Sequence, residues 1–214
     1  MKPQYTHIAI VLDKSGSMMK VKDDTIGGYN SFIANQKELP GTATVSTTLF
    51  NTYTHISEDF TPIESVKEMN SLNYVPSHQT ALFDAVGITI DSIGKKLADM
   101  AEEDRPESVM MVIMTDGFEN ASREFNSAKI KEMIDHQTSK YNWEFVFMGA
   151  NQDAILSANS MGIKSNSALT YSHDSAGVHE GFASLNEHTM SYRAAVGEAK
   201  AFAFTEEDRK KQKV

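Results

Sequence analysis

Apolar residues follow two rhythms along this chain. In the first they run together: Ile8-Ala9-Ile10-Val11-Leu12 and Val109-Met110-Met111-Val112-Ile113-Met114 are unbroken and end in turn residues. Short runs closed in this way predict strands buried on both faces, as in a parallel sheet covered by helices. Residues 143–148 predict another buried strand, and residues 168–171 a short last one. In the second rhythm the apolar residues step by three and four. Leu82, Val86, Ile90, Ile93, Leu97 and Met100 form one helical stripe. Val178, Phe182, Leu185, Thr189, Tyr192 and Val196 form a second.

The remaining stretches fill in between these. Residues 25–39 predict a helix with Ile26, Tyr29, Phe32, Ile33 and Gln36 turned inward, ended by Pro40-Gly41. Residues 43–51 predict a strand, with 53–56 as its hairpin partner and Asn51 at the turn. Residues 58–74 are mixed, with a short helical turn over 63–69. Asn126 or Ser127 opens a helix to about residue 139, and 153–161 is a short helix closed by Gly162. Close packing is the expected reason for Gly87 and Gly94 inside a helix.

Strand and helix therefore alternate almost throughout. That order predicts an α/β fold: a doubly wound, mostly parallel central sheet of about six strands. One antiparallel strand lies at its edge and helices cover both faces. Residues 1–205 are expected to form one domain, and the highly charged residues 206–214 a frayed tail.

Composition narrows the function classes. The 214 residues are 40% hydrophobic and 23% charged, with a net charge of −9, and none is cysteine. The acidic balance argues against nucleic acid and anionic membranes as partners, since both favour basic patches. It leaves room for cations. Disulfides and thiolate metal sites are excluded, no stretch has the length of a membrane helix, and a cytoplasmic location is expected. The seven histidines show no metal-ligand spacing, so no zinc site is expected.

Candidate chemistry lies where the buried strands end, because ligands of open α/β sheets bind beyond the carboxyl ends of the strands. Asp13, Ser15 and Ser17 follow the first apolar run at alternate positions. Asp116 follows the run 109–114, and Thr80 precedes the helix marked by the first stripe. Carboxylates and hydroxyls are hard oxygen donors that suit Mg²⁺ or a similar cation. A plainer reading makes Asp13 the cap of an ordinary Ser/Gly turn.

Three stretches resemble the metal loops of von Willebrand factor type A domains. They are Asp13-Lys14-Ser15-Gly16-Ser17, Thr80-Ala81-Leu82-Phe83-Asp84-Ala85, and Thr115-Asp116-Gly117 with Glu119 and Asn120. They stand in the family's order, and the resemblance, to the stand-alone bacterial or phage type, covers nearly the whole chain. It implies a metal-ion-dependent adhesion site. Ser15 and Ser17 would bind the ion directly, Thr80 directly or through water, and Asp13 and Asp116 largely through water. The implied ion is Mg²⁺, with Mn²⁺ or Ca²⁺ as alternatives. The implied function is non-enzymatic: capture of a Glu or Asp side chain offered by a partner protein, with the last helix as a lever. One departure concerns the second loop, where His78 and Gln79 stand in place of the small, glycine-like residues common before the threonine.

The rival reading is a Mg²⁺-dependent phosphohydrolase of the haloacid dehalogenase type. Its strand also ends in Asp, but its chemistry needs a second carboxylate two residues on, where this chain has Ser15. Neither G-x-G-x-x-G nor G-x-x-x-x-G-K-[ST] occurs, which argues against a nucleotide site.

Overall fold

The computed structural model describes residues 1–150, 153–195 and 200–212. Six strands form the sheet: β1 (Lys2–Asp13), β2 (Thr42–Phe50), β3 (Thr54–Pro62), β4 (Pro106–Thr115), β5 (Glu144–Ala150) and β6 (Ala168–Tyr171). Their order is β3-β2-β1-β4-β5-β6. Only β3 runs antiparallel to its neighbour, so the sheet is mostly parallel with one antiparallel edge, as the alternation of elements predicts. The helices are α1 (Lys22–Lys37), α2 (Leu82–Asp99), α3 (Ser127–Tyr141), α4 (Ala154–Ser160), α5 (Ser175–Ala194) and α6 (Glu206–Lys211). Among the described residues, no helix is long and apolar enough to cross a membrane.

The unbroken apolar runs serve two cores at once, because successive side chains of a strand point to opposite faces. Ile8, Ile10 and Leu12 of β1 join Met110, Val112 and Met114 of β4 in a core closed by Tyr29 and Phe32 of α1 and Val178 and Phe182 of α5. Ala9, Val11, Met111 and Ile113 face the other way, onto Val86 and Ile90 of α2 and Ile130 and Ile134 of α3. Each buried Val, Leu, Ile, Phe or Met among them contributes about 1.5–3 kcal/mol of burial. Both predicted stripes are buried as far as Ile93 and Tyr192. Val196 lies outside the described residues. Gly28 has its packing reason, since a β-carbon there would sit 2.1 Å from the Phe182 ring. So has Gly87, against Phe125, but at Gly94 the nearest atom is 3.9 Å away and packing does not explain the glycine.

Three expectations change. The edge strand β3 continues to Pro62 instead of stopping at Ile56. Its extension is fixed by Phe60, whose backbone turns to φ 51° and whose ring stacks on the buried His7 at 3.8 Å. The helical turn expected over 63–69 shrinks to Ile63–Ser65. Beyond it, the amide of Asn30 pairs with the backbone of Met69 in both directions at 2.8 Å, doing for this stretch what a neighbouring strand would.

The tail is the largest correction, because residues 206–211 form α6 instead of fraying. A capping box between Thr205 and Asp208 starts this helix, and Arg209 donates to the Ala168 carbonyl at 2.7 Å. Charge density alone misreads the segment, because Asp208 caps the helix and Arg209 docks it, while the helix's other charges stay exposed.

The sheet order also places the site. Connections from β1 lead to β2 on one side, and β4 enters on the other. A crevice therefore opens at the carboxyl ends of β1 and β4, the topological switch point of such sheets.

Candidate metal centre

Leu12 pairs with Met114, so β1 and β4 run out side by side. Asp13, the last residue of β1, is fully buried. Its Oδ1 accepts from the Ser15 backbone N–H at 2.6 Å, and its Oδ2 accepts from Thr115 Oγ1 at 2.6 Å. Both carboxylate oxygens are thus engaged by the protein, and Asp13 shapes the first loop while facing the third. Tyr74 supports the same point from below, its hydroxyl donating to the Asp13 carbonyl at 2.6 Å. Further out, Ser15 Oγ lies 3.2 Å from Ser17 Oγ, and Ser17 Oγ donates to Asp116 Oδ1 at 2.6 Å. The hydroxyls and Asp116 therefore form a continuous row of oxygens.

The second loop is pinned to both others. Gly16 N–H donates to the His78 carbonyl at 2.9 Å, and Ser77 N–H to the Lys14 carbonyl at 2.8 Å. Asn51, at the β2–β3 turn, accepts from the Ala81 N–H at 2.9 Å. Thr80 N–H donates to Asn120 Oδ1 at 2.9 Å, while Asn120 N–H donates back to the Thr80 carbonyl at 3.0 Å. Glu119 accepts from the Phe83 and Ala121 N–H groups, so both third-loop residues hold the frame. Asp84 accepts from three successive N–H groups, of Arg123, Glu124 and Phe125.

Gly117 leaves the central space open. A β-carbon there would stand 3.1 Å from Thr80 Oγ1 and 3.8 Å from Ser17 Oγ. The structure brings Asp13, Ser15, Ser17, Thr80 and Asp116 into this one cradle.

The departure at position 78 also has a local reason. His78 adopts φ 65°, the left-handed region that glycine favours and that His tolerates better than most side chains. The backbone demand is the one a small residue would meet. Its side chain is exposed at the rim, with Tyr53 edge-on at 5.8 Å.

Burial dominates the electrostatics. It pushes the Asp13 carboxyl up to about 6 against the hydrogen bonds from Thr115 and Ser15. It raises Asp116 as well, against Ser17 and His173. Tyr74 and Tyr171 rise well above the usual tyrosine value through burial and the two carboxylates. Asp116 Oδ2 is buried without a hydrogen-bond partner, and so is His173 Nε2. The two atoms lie 2.8 Å apart, yet their geometry makes no hydrogen bond. An unsatisfied buried polar atom costs about 1–3 kcal/mol. A divalent cation among these oxygens would remove that penalty at Asp116, so the donor set fits one. Among the described residues no three His, Cys, Asp or Glu side chains form a metal cluster; the donors are mostly hydroxyls.

Sequence reasoning missed Tyr74, Tyr171 and His173, and gave Thr115 no role of its own. Thr115 stood beside a predicted ligand. His173 follows a strand end, which was a usable signal, but β6 lies at the far edge of the sheet. Only the fold of its loop carries His173 back to Asp116.

With this geometry in place, the fold is that of von Willebrand factor type A domains. The vWF domain of the type V pili tip protein Mfa5 from Porphyromonas gingivalis is similar with a TM-score of 0.62 and 11% identity, over 91% of this chain and 97% of that one. A von Willebrand factor type A protein from Catenulispora acidiphila gives 0.59 and 14%, over 86% and 42%. Proximal thread matrix protein 1 from the mussel byssus, solved with a zinc-occupied MIDAS motif, gives 0.57 and 13%, over 87% and 46%. This chain spans less than half the length of the last two. No family model matches the sequence, and no curated protein does.

Proposed function

We propose that this chain is a non-enzymatic binding module whose Ser15, Ser17, Thr80 and Asp116 hold a divalent cation, with Asp13 behind them. The convergence of the buried Asp116 carboxylate with the Ser15 and Ser17 hydroxyls, and of Gly117 with Thr80, carries this reading, with Asp116 Oδ2 making no hydrogen bond. By themselves these oxygens suit Mg²⁺. When bound, the cation supplies an electron-poor position open to one oxygen of a partner's carboxylate. Neutral Ser15 and Ser17 quench little of the ion's charge, while Asp13 keeps their loop in place through Ser15 N–H. The zinc-occupied MIDAS of the mussel protein and the manganese-loaded TRAP protein of Plasmodium vivax support a divalent ion in this fold. The partner is a protein that presents Glu or Asp. Met19, Tyr53 and Phe118 are exposed and close in sequence to the site loops or the β2–β3 turn, and offer it apolar contact.

Titration calorimetry with Mg²⁺ and Mn²⁺, followed by a pull-down with metal or EDTA, tests the reading. Expected are millimolar or tighter metal binding and a partner released by EDTA, both lost in Asp13→Ala. Absence of metal binding would remove the proposal. The phosphohydrolase alternative predicts turnover of an aryl phosphate that Asp13→Ala abolishes. It lacks an acid at position 15, whose hydroxyl is instead linked to Ser17.

A further inference from the structure

We infer that His173 is a nitrogen donor built into this metal centre, which tilts it from Mg²⁺ toward Mn²⁺ and Zn²⁺. The inference rests on the reading above that the three loops hold a divalent cation. His173 belongs to none of those loops and comes from the turn between β6 and α5.

Its Nε2 is buried 2.8 Å from Asp116 Oδ2, and neither atom makes a hydrogen bond. The imidazole side chain is 11% exposed. The two atoms are close enough for an ion pair, but no aligned hydrogen bond joins them. A cation seated here would take an electron pair from each atom in place of their unaligned contact. The loop is also held in position. Lys20 Nζ donates to the His173 carbonyl at 3.1 Å, and Ser175 Oγ donates to Asp24 at 2.7 Å, so the turn is tied to the first loop and to α1. Asp174 caps α5 through the Gly177 N–H at 2.8 Å, which fixes the other end. Lys20 thereby holds His173's backbone, while the His173 ring meets Asp116.

The consequence follows from ligand chemistry. Hydroxyl and carboxylate oxygens bind Mg²⁺ adequately, but an imidazole adds little for Mg²⁺ and much for the later divalent metals. One nitrogen among oxygens thus changes which metal wins without changing the oxygen frame.

The test uses the full chain. Mn²⁺, Zn²⁺ and Mg²⁺ are titrated into the wild type, His173→Ala and His173→Gln, and Mn²⁺-loaded samples are examined by pulsed EPR for coupling to ¹⁴N. Expected is a nitrogen coupling in the wild type that vanishes in both variants. Affinity for Mn²⁺ and Zn²⁺ should fall about tenfold or more, with a much smaller change for Mg²⁺. Absence of nitrogen coupling in a wild type whose Mn²⁺ binding is lost in Asp13→Ala overturns the inference and leaves the metal-centre reading standing. Tighter binding of all three ions by His173→Ala also overturns it, because the ring would then act as a competing cation. A wild type that binds none of the three ends both.

Discussion

His188 and His173 each set Nε2 against an aspartate, at 2.7 and 2.8 Å. His188 makes an aligned hydrogen bond to Asp208, whose same oxygen also accepts from the Thr205 N–H and hydroxyl at 2.7 and 2.6 Å. Burial disfavours the Asp208 charge, but these hydrogen bonds outweigh it and hold the carboxyl well below the usual range. The ring of His188 lies edge-on to Phe202 and Phe204. At the other pair, Asp116 accepts from Ser17 on Oδ1, its Oδ2 meets His173 without an aligned hydrogen bond, and burial raises its carboxyl. The same two residue types thus make a closed clamp at one place and an open donor set at another. The number of donors aimed at the carboxylate decides which, not the distance to the histidine.

The strongest way to break this contrast is to remove each aspartate in turn. Asp116→Ala should weaken metal binding about a thousandfold, roughly 4 kcal/mol, by calorimetry. Its metal-free stability should hold or rise, because a buried and poorly satisfied carboxylate has gone. A lower metal-free urea midpoint would put Asp116 in the clamp class.

The next effect appears in the pH dependence of the metal-free protein. The Asp13 carboxyl sits near about 6 when folded, above its ordinary 3.8, so the folded state holds the proton more tightly. Stability from this group is therefore present below pH 4 and lost as pH rises through 6, by about 3 kcal/mol. Asp116, also raised, adds in the same direction. Asp208 has the opposite sign: its contribution is present above the ordinary carboxylate value and lost as pH falls below it. Urea unfolding between pH 3 and 8 should show both limbs, and Asp13→Asn should flatten the upper one.

Asp208→Ala should cost about 2 kcal/mol through the lost cap and hydrogen bonds, and lower the melting temperature by a few degrees. Metal affinity should not change; a change would mean that α6 and the metal centre are not separate. The third histidine supplies the smallest effect. His78→Gly keeps the left-handed backbone, so stability should stay within about 0.5 kcal/mol. In contrast, His78→Val should be measurably strained by thermal unfolding.

Much of this was legible in the chain, because strand and helix periods are local. The runs at 8–12 and 109–114 announced strands covered on both faces, and the stripe from Leu82 announced α2. Alternation of elements then implied the parallel sheet and its switch point. Where reading failed, the missing information was a partner distant in sequence. Residues 206–214 read as a frayed tail because nothing local says that Asp208 meets His188 or that Arg209 reaches Ala168. Residues 63–69 read as a helical turn because the amide of Asn30 is invisible to periodicity.

The sequence by itself determined the elements, their order, and three oxygen-bearing loops at strand and helix ends, since each depends on neighbours within a few residues. Tertiary structure alone decided that His173 returns from the sheet's edge to Asp116 while His188 closes on Asp208. Which side chains share a buried space depends on strand order and loop closure, and a carboxylate's character follows from the donors that space happens to contain.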